Sequence, residues 1–167
     1  MKNYQEWYRN ISSKLTSHPT LLFLVRSFNR LMTVAMPLVY LTLLVTTYLQ
    51  LGLSQQVGVY LLVPASGFVI LSLIRKKINH PRPYETWDIA PLLDKDSSGQ
   101  SMPSRHVFSA TIISMACLHS SLPVGLACLL FSALLGLVRV LGGVHYPKDV
   151  FVGYTCALMW GLLFFLF

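Results

Sequence analysis

Residues 31–74 read LMTVAMPLVYLTLLVTTYLQLGLSQQVGVYLLVPASGFVILSLI, 44 positions without one charged side chain. A helix rises about 1.5 Å per residue and a bilayer crossing takes about 20 residues, so the stretch predicts two membrane-spanning helices in tandem. Gln55, Gln56 and Gly58 sit near its middle and predict the turn between them. Toward the C-terminus the pattern repeats. The 33 residues between Arg105 and Arg139 carry no Lys, Arg, Asp or Glu and are interrupted at His119-Ser120-Ser121-Leu122-Pro123. The 18 residues after Asp149 are uncharged as well. Five spans follow, near 31–52, 57–74, 105–120, 122–141 and 149–167.

Composition supports the bilayer as solvent. Only 11% of the 167 residues are charged, against about 25% in an ordinary soluble domain, and the mean hydropathy is +0.58. The expected fold is all-α, a polytopic transmembrane helix bundle formed as one domain by residues 31–167. Residues 1–30 differ. There Lys2, Arg9, Lys14, Arg26 and Arg30 are interspersed with Tyr4, Trp7, Tyr8, Ile11, Leu15 and the run Leu21-Leu22-Phe23-Leu24. That mixture predicts an amphipathic helix lying in the membrane interface, without the uninterrupted apolar run of a signal peptide. A sixth span around 18–38 is the alternative, and it would take Arg26 and Arg30 into the membrane.

The net charge of +7 raises nucleic acid as a partner, but no basic run exceeds Arg75-Lys76-Lys77. Scattered interfacial cations fit anionic membrane lipids instead. Cys117, Cys128 and Cys156 fall within predicted spans without metal-ligand spacing and read as small packing residues.

The remaining polar residues gather. A loop at 75–104 holds Arg75, Lys76, Lys77, His80, Arg82, Glu85, Asp88, Asp94, Lys95 and Asp96. The third and fourth spans form a hairpin, so Arg105-His106 and Arg139 emerge on the same membrane face as that loop, followed by His145 and Asp149. In this arrangement all 13 Lys and Arg lie on one face, which the positive-inside rule would call cytoplasmic. Several of these cations are candidates for the site itself, so the rule does not orient the chain here.

Converging guanidinium groups attract a multiply charged oxyanion, and Arg matches phosphate oxygens bidentately. Two histidines supply a nucleophile and a proton donor near neutral pH. Asp149, four residues after His145, is expected on the same helix face, where it can hold one ring nitrogen and leave the other free to attack. Together these groups suit phosphoryl transfer. Other readings stand beside this one. Arg75-Lys76-Lys77 also suits an interfacial anchor, and the H-x3-D pair could ligate a metal, although no further His or carboxylate cluster completes a site. Asp149 could simply cap the last span. Gly142-Gly143 predicts a tight turn, and Pro147 predicts a helix start.

Three segments carry a family resemblance. Arg75-(six residues)-Arg82-Pro83, Pro103-Ser104-Arg105-His106 and Arg139-(five residues)-His145-(three residues)-Asp149 resemble the tripartite signature of the type 2 phosphatidic acid phosphatases. That superfamily also includes bacterial acid phosphatases and vanadium haloperoxidases, and its usual pattern is K-x6-R-P, P-S-G-H and S-R-x5-H-x3-D. The resemblance implies that His145 forms a phosphohistidine, that Asp149 orients it, and that His106 protonates the leaving alkoxide. It further implies that Arg82, Arg139 and Ser104 bind phosphate oxygens and that no metal or other cofactor is required. Three positions depart from the pattern. Arg75 replaces the first-motif Lys, unless Lys76 takes that role by a one-residue shift. Arg105 replaces Gly, where it either turns away or adds its own guanidinium to substrate. Val138 replaces Ser.

The expected function is hydrolysis of a lipid phosphate or diphosphate by a multi-pass protein of the plasma membrane. Phosphatidic acid, phosphatidylglycerol phosphate and polyprenyl diphosphates are the substrate class. The alternative is a catalytically silent membrane protein that binds or moves phospholipid. A haloperoxidase would share the oxyanion pocket, normally in a soluble protein.

Overall fold

A computed structural model of the chain describes residues 3–95 and 98–167. Lys2 and Asp96, counted among the charges above, lie outside the described residues. The elements in order are α1 (Asn3–Thr16), α2 (Pro19–Leu51), α3 (Gln55–Ile78), the single turn α4 (Pro83–Thr86), α5 (Arg105–Ser120), α6 (Leu122–Leu141) and α7 (Pro147–Gly161), closed by a 3₁₀ turn at Leu162–Phe165. The described residues contain no strand.

α5 is the axis of the bundle. Every residue from Ala110 to Cys117 is buried on it, and α2, α3, α6 and α7 all pack against it. Small side chains make this enclosure possible: Ala110, Ser114, Ala116 and Cys117 let neighbouring helices approach. α6 folds back on α5 so closely that a Cβ at Gly125 would lie 2.1 Å from the Leu118 Cα. The surrounding helices present apolar side chains outward, among them Leu41 and Leu49 on α2, Leu62 and Leu73 on α3, Leu130 on α6 and Phe151 on α7. A contiguous apolar exterior of this kind suits lipid, not water.

Four helical stretches are long and apolar enough to cross a membrane: Pro19–Leu51, Gln55–Thr86, Leu122–Leu141 and Pro147–Phe165. α5, at 16 residues, is about 24 Å long by helical rise. It falls short of that length criterion and lies wrapped within the other four.

Three boundaries differ from those expected. α3 continues through Ile78, so Arg75, Lys76 and Lys77 lie in its last turn and the loop begins after it. The turn between the tandem spans is at residues 52–54, where Gly52 takes φ 62°. Gln55 already opens α3 and Gly58 lies inside it. A positive φ is cheap only for glycine, so Gly52 sets the turn and the glutamines do not. The N-terminal segment also divides elsewhere. The break falls at Ser17-His18, and α2 runs unbroken from Pro19 through Leu51. Pro19 occupies the first helical turn, where its missing N–H costs nothing. Arg26 is exposed on α2 but is not left without a partner: its Nε donates to the Leu92 carbonyl at 2.9 Å. A second apolar cluster of Leu15, Val25, Leu92, Leu93 and Val144 ties α1 and α2 to the segment between α3 and α5 and to the turn before His145.

Candidate active site

His145 and Asp149 meet, but not on one helix face. α7 begins at Pro147, and the residue before a proline is pushed out of the helical region. Tyr146 accordingly takes φ −75° and ψ 154°, which leaves His145 in the preceding loop. Asp149 turns back from the first turn of α7 and accepts the Tyr146 N–H through Oδ2 at 3.1 Å. The same Oδ2 lies 3.7 Å from His145 Nδ1. The i,i+4 spacing was legible, and the N-terminal cap is the geometry that uses it.

The second motif packs onto the third. The Ser104 N–H donates to the Asp149 carbonyl at 2.9 Å. Gly153, one turn further along α7, permits this approach, because a Cβ there would stand 2.7 Å from the Ser104 carbonyl oxygen. Ser101 is fully buried and was not expected in the site. Its Oγ donates to Asp149 Oδ2 at 2.5 Å and lies 3.3 Å from His145 Nδ1. Arg75 is buried beneath this segment, and its Nη1 donates to the carbonyls of Ser101 and Pro103. The first-motif cation thus braces the second motif's backbone.

Arg82 and Arg139 are only 2% and 1% exposed. Arg82 stands at the N-terminus of α4, with its own N–H on Glu85 Oε2 and its Nε on the Gly99 carbonyl. Glu85 also accepts the Gly99 N–H, so one carboxylate fixes both walls of the Arg82 slot. Arg139 comes from the end of α6 and donates to Asn29 Oδ1 at 3.4 Å. The two cations bear on His145, whose pKa is held down to about 4. Burial is the largest cause, the nearby Asp149 carboxylate opposes it, and the positive charges of Arg139 and Arg82 add to it. His145 is therefore a neutral imidazole at physiological pH.

The expected site residues divide into two groups. His145, Asp149, Arg75, Arg82, Ser104 and Arg139 are buried at one end of the bundle. His106 is half-buried in the first turn of α5, beside exposed Arg105, and both line a cavity of about 350 Å³ between α2, α3 and α5. Lys76 is exposed and stays outside the buried group. α1 lies over this end of the bundle. Tyr4 packs against Tyr146 in a tilted arrangement with ring centroids 5.0 Å apart, and the Tyr8 hydroxyl bridges the Ala90 carbonyl and the Leu92 N–H. Gly143, at φ 74°, receives the Tyr8 ring where a Cβ would collide with it. Ser101, Asn29, Tyr4 and Tyr8 carry no motif, and sequence reading missed them. The one available signal was Ser101's place two residues before the second motif.

The model of the PAP2 superfamily matches residues 56–167. The chain belongs to the PAP2 superfamily. Among curated relatives, the undecaprenyl-diphosphatase BcrC of Bacillus subtilis (strain 168) is 34% identical over 102 residues, covering 61% of this chain and 52% of BcrC. The match thus spans about half of that relative's length. Two solved structures superpose over nearly the whole chain. The crystal structure of Aquifex aeolicus LpxE has a TM-score of 0.75 at 25% identity, covering 97% of this chain and 94% of LpxE. The transmembrane PAP2-type phosphatidylglycerolphosphate phosphatase from Bacillus subtilis has a TM-score of 0.72 at 24% identity, covering 99% and 85%. That second likeness is one of fold. With its apolar helices, this PAP2 protein is an integral membrane protein.

Proposed function

We propose that this protein is a phosphatase of lipid phosphates and diphosphates, with a polyprenyl diphosphate as its foremost substrate, working without a metal through a phosphohistidine on His145. The observation that carries this reading is the fully buried His145 grouped with the buried cations Arg82 and Arg139 and the buried carboxylate of Asp149. The Nε2 lone pair attacks phosphorus and forms the N–P bond while the bond from phosphorus to the leaving oxygen breaks. His106 gives its proton to that oxygen. Water then attacks phosphorus, His106 takes the water's proton, and the N–P electron pair returns to the ring as phosphate leaves. Arg82 and Arg139 stabilise the equatorial oxygens through the transition state. The Ser104 hydroxyl is buried without a hydrogen-bond partner among the described residues, and we assign it to a phosphate oxygen.

The lipid character of the substrate is supported by the cavity at His106. Met32 and Met36 of α2, Phe68 of α3 and Ile113 of α5 line it, and Arg105 and His106 lie at one end. An acyl or prenyl chain in this apolar cleft would bring its phosphate to the proton donor. α5 is then a fifth crossing enclosed by the four longer stretches, with α1 in the interface of the plasma membrane.

The test is phosphate release from purified protein in detergent or vesicles, with polyprenyl diphosphate, phosphatidylglycerol phosphate and phosphatidic acid compared. Release should persist in excess chelator, since the described residues hold no cluster of three metal-ligating side chains. Vanadate, a mimic of the pentacoordinate transition state, should inhibit it. Loss of activity in chelator with recovery on adding zinc or magnesium would overturn the metal-free reading. Substrate binding without any phosphate release would favour a silent lipid binder.

Arg105 tests the preference for diphosphates. Exposed at the cavity's polar end, it is positioned for the second phosphate. Arg105→Gly should lower kcat/KM for a diphosphate about 10- to 100-fold relative to a monophosphate, the scale of one charge-assisted hydrogen bond. An unchanged ratio would leave Arg105 as an interfacial anchor.

A further inference from the structure

The separation between His145 and Asp149 poses a problem for the orienting role of the carboxylate. At 3.7 Å, Nδ1 and Oδ2 are beyond normal hydrogen-bond length. Ser101 Oγ lies between them, 3.3 Å from Nδ1 and 2.5 Å from Oδ2. A serine hydroxyl has one proton to give, and an ionised carboxylate can only accept. The Ser101 proton therefore goes to Asp149, which leaves the Oγ lone pairs facing the ring. Nδ1 can satisfy them only as N–H. Two hydrogen bonds run in one direction, from His145 Nδ1–H to Ser101 Oγ and from Ser101 Oγ–H to Asp149 Oδ2.

We infer that Ser101 is a positioning residue for the nucleophile, relaying the orienting influence of Asp149 to His145. The relay holds the ring in the Nδ1–H tautomer and so keeps the Nε2 lone pair for phosphorus. As the N–P bond forms, the ring becomes cationic. Nδ1–H then donates more strongly to Ser101, and the adjoining hydroxyl and carboxylate polarise in concert. No proton has to leave Nδ1 in either step. The inference rests on the nucleophilic reading of His145. Ser101 is held ready for the role by its own backbone: its N–H donates to the His80 carbonyl at 2.7 Å, and its carbonyl accepts from Arg75. Buried completely behind the imidazole, Ser101 acts on substrate only through His145.

A double-mutant cycle of Ser101→Ala and Asp149→Ala tests this, with kcat, KM and thermal stability measured for each protein on one lipid diphosphate. Ser101→Ala should lower kcat about 10- to 100-fold, the scale of a hydrogen bond to a charged partner, and leave KM within about threefold. In the Asp149→Ala background the same change should cost less than about threefold, because a relay broken at one end has nothing left to transmit. Ser101→Thr, which keeps the hydroxyl, should recover part of the lost kcat if the added methyl is accommodated. Full additivity of the two alanine substitutions would overturn the inference and reduce Ser101 to a loop brace. So would a Ser101→Ala protein that loses thermal stability and raises KM while kcat is unchanged. His145→Ala separates the two levels of argument. If it retains turnover, the nucleophile reading fails; if it is inactive while Ser101→Ala turns over normally, only the relay fails.

Discussion

His145→Ala should lose at least about 10³-fold in kcat while the protein remains folded and inserted in the membrane. The expected loss is large because the covalent step then has no nucleophile: His106, the other imidazole of the proposed mechanism, serves as the proton donor on the leaving-group side. Folding should survive, because Asp149 keeps two partners that do not depend on the ring, the Tyr146 N–H and the Ser101 hydroxyl. The wild-type protein quenched during turnover of a terminally labelled lipid diphosphate should carry acid-labile, alkali-stable phosphate, and the variant should carry none. Near-normal turnover by His145→Ala would sink the mechanism. The lowered pKa adds a condition that can be checked on the same protein. With the ring held to about 4 against an ordinary value of 6.5, the imidazole stays in its free-base form well below pH 6.5. Any acid limb of kcat due to His145 should therefore lie nearer pH 4 than 6.5. Stability moves in the same window. The unfolded chain takes up a proton as pH falls below 6.5 and the folded one resists until about 4, so the stability contributed by neutral His145 is present above 6.5 and is lost through that interval.

The helices were legible where a single force decides them. In lipid the run at 31–74 must satisfy its own backbone as helix or closed barrel, and its unbroken apolar character, without barrel-type alternation, selects helix; α2 and α3 occupy it with a glycine turn between them. The start of α2 was not legible. Arg26 and Arg30 argue against a span when read one residue at a time. In the folded protein Arg26 meets a carbonyl of the segment between α3 and α5, a partner 66 residues away that no local pattern announces.

The site divides in the same manner. His145, Asp149, Arg82 and Arg139 stand in motifs and all four are buried, but the spacing named the His–Asp pair without its geometry, since His145 precedes α7 and Asp149 reaches back from its first turn. Arg75 also stands in a motif, but the charge count could not show that its guanidinium serves backbone carbonyls of the second motif. Ser101 and Asn29 reach the site by tertiary packing alone. A serine two residues before a motif and an asparagine on a long helix look like any other polar side chain until the opposing element is in place.

Arg139 offers the second large effect. Arg139→Ala should lower kcat about 10²- to 10³-fold, the range for removing one preorganised donor to a developing oxyanion. Arg139→Lys should recover little of it. A lysine keeps the charge but presents a point donor in place of the planar fork that matches two phosphate oxygens. The fork is fixed in advance: Arg139 is 1% exposed, anchored to Asn29 of α2 and close enough to His145 to lower its pKa. A flexible ammonium would have to be ordered anew as the transition state forms. The decisive comparison is between kcat and vanadate affinity in wild type, Arg139→Lys and Arg139→Ala. If Arg139 acts on the transition state, both should fall in parallel across the three proteins, while KM for the lipid moves far less. A rise in KM with kcat and vanadate inhibition unchanged would mean that the guanidinium holds the ground-state phosphate only. Arg139→Lys at wild-type kcat would show that charge suffices and that the bidentate geometry contributes nothing to the rate.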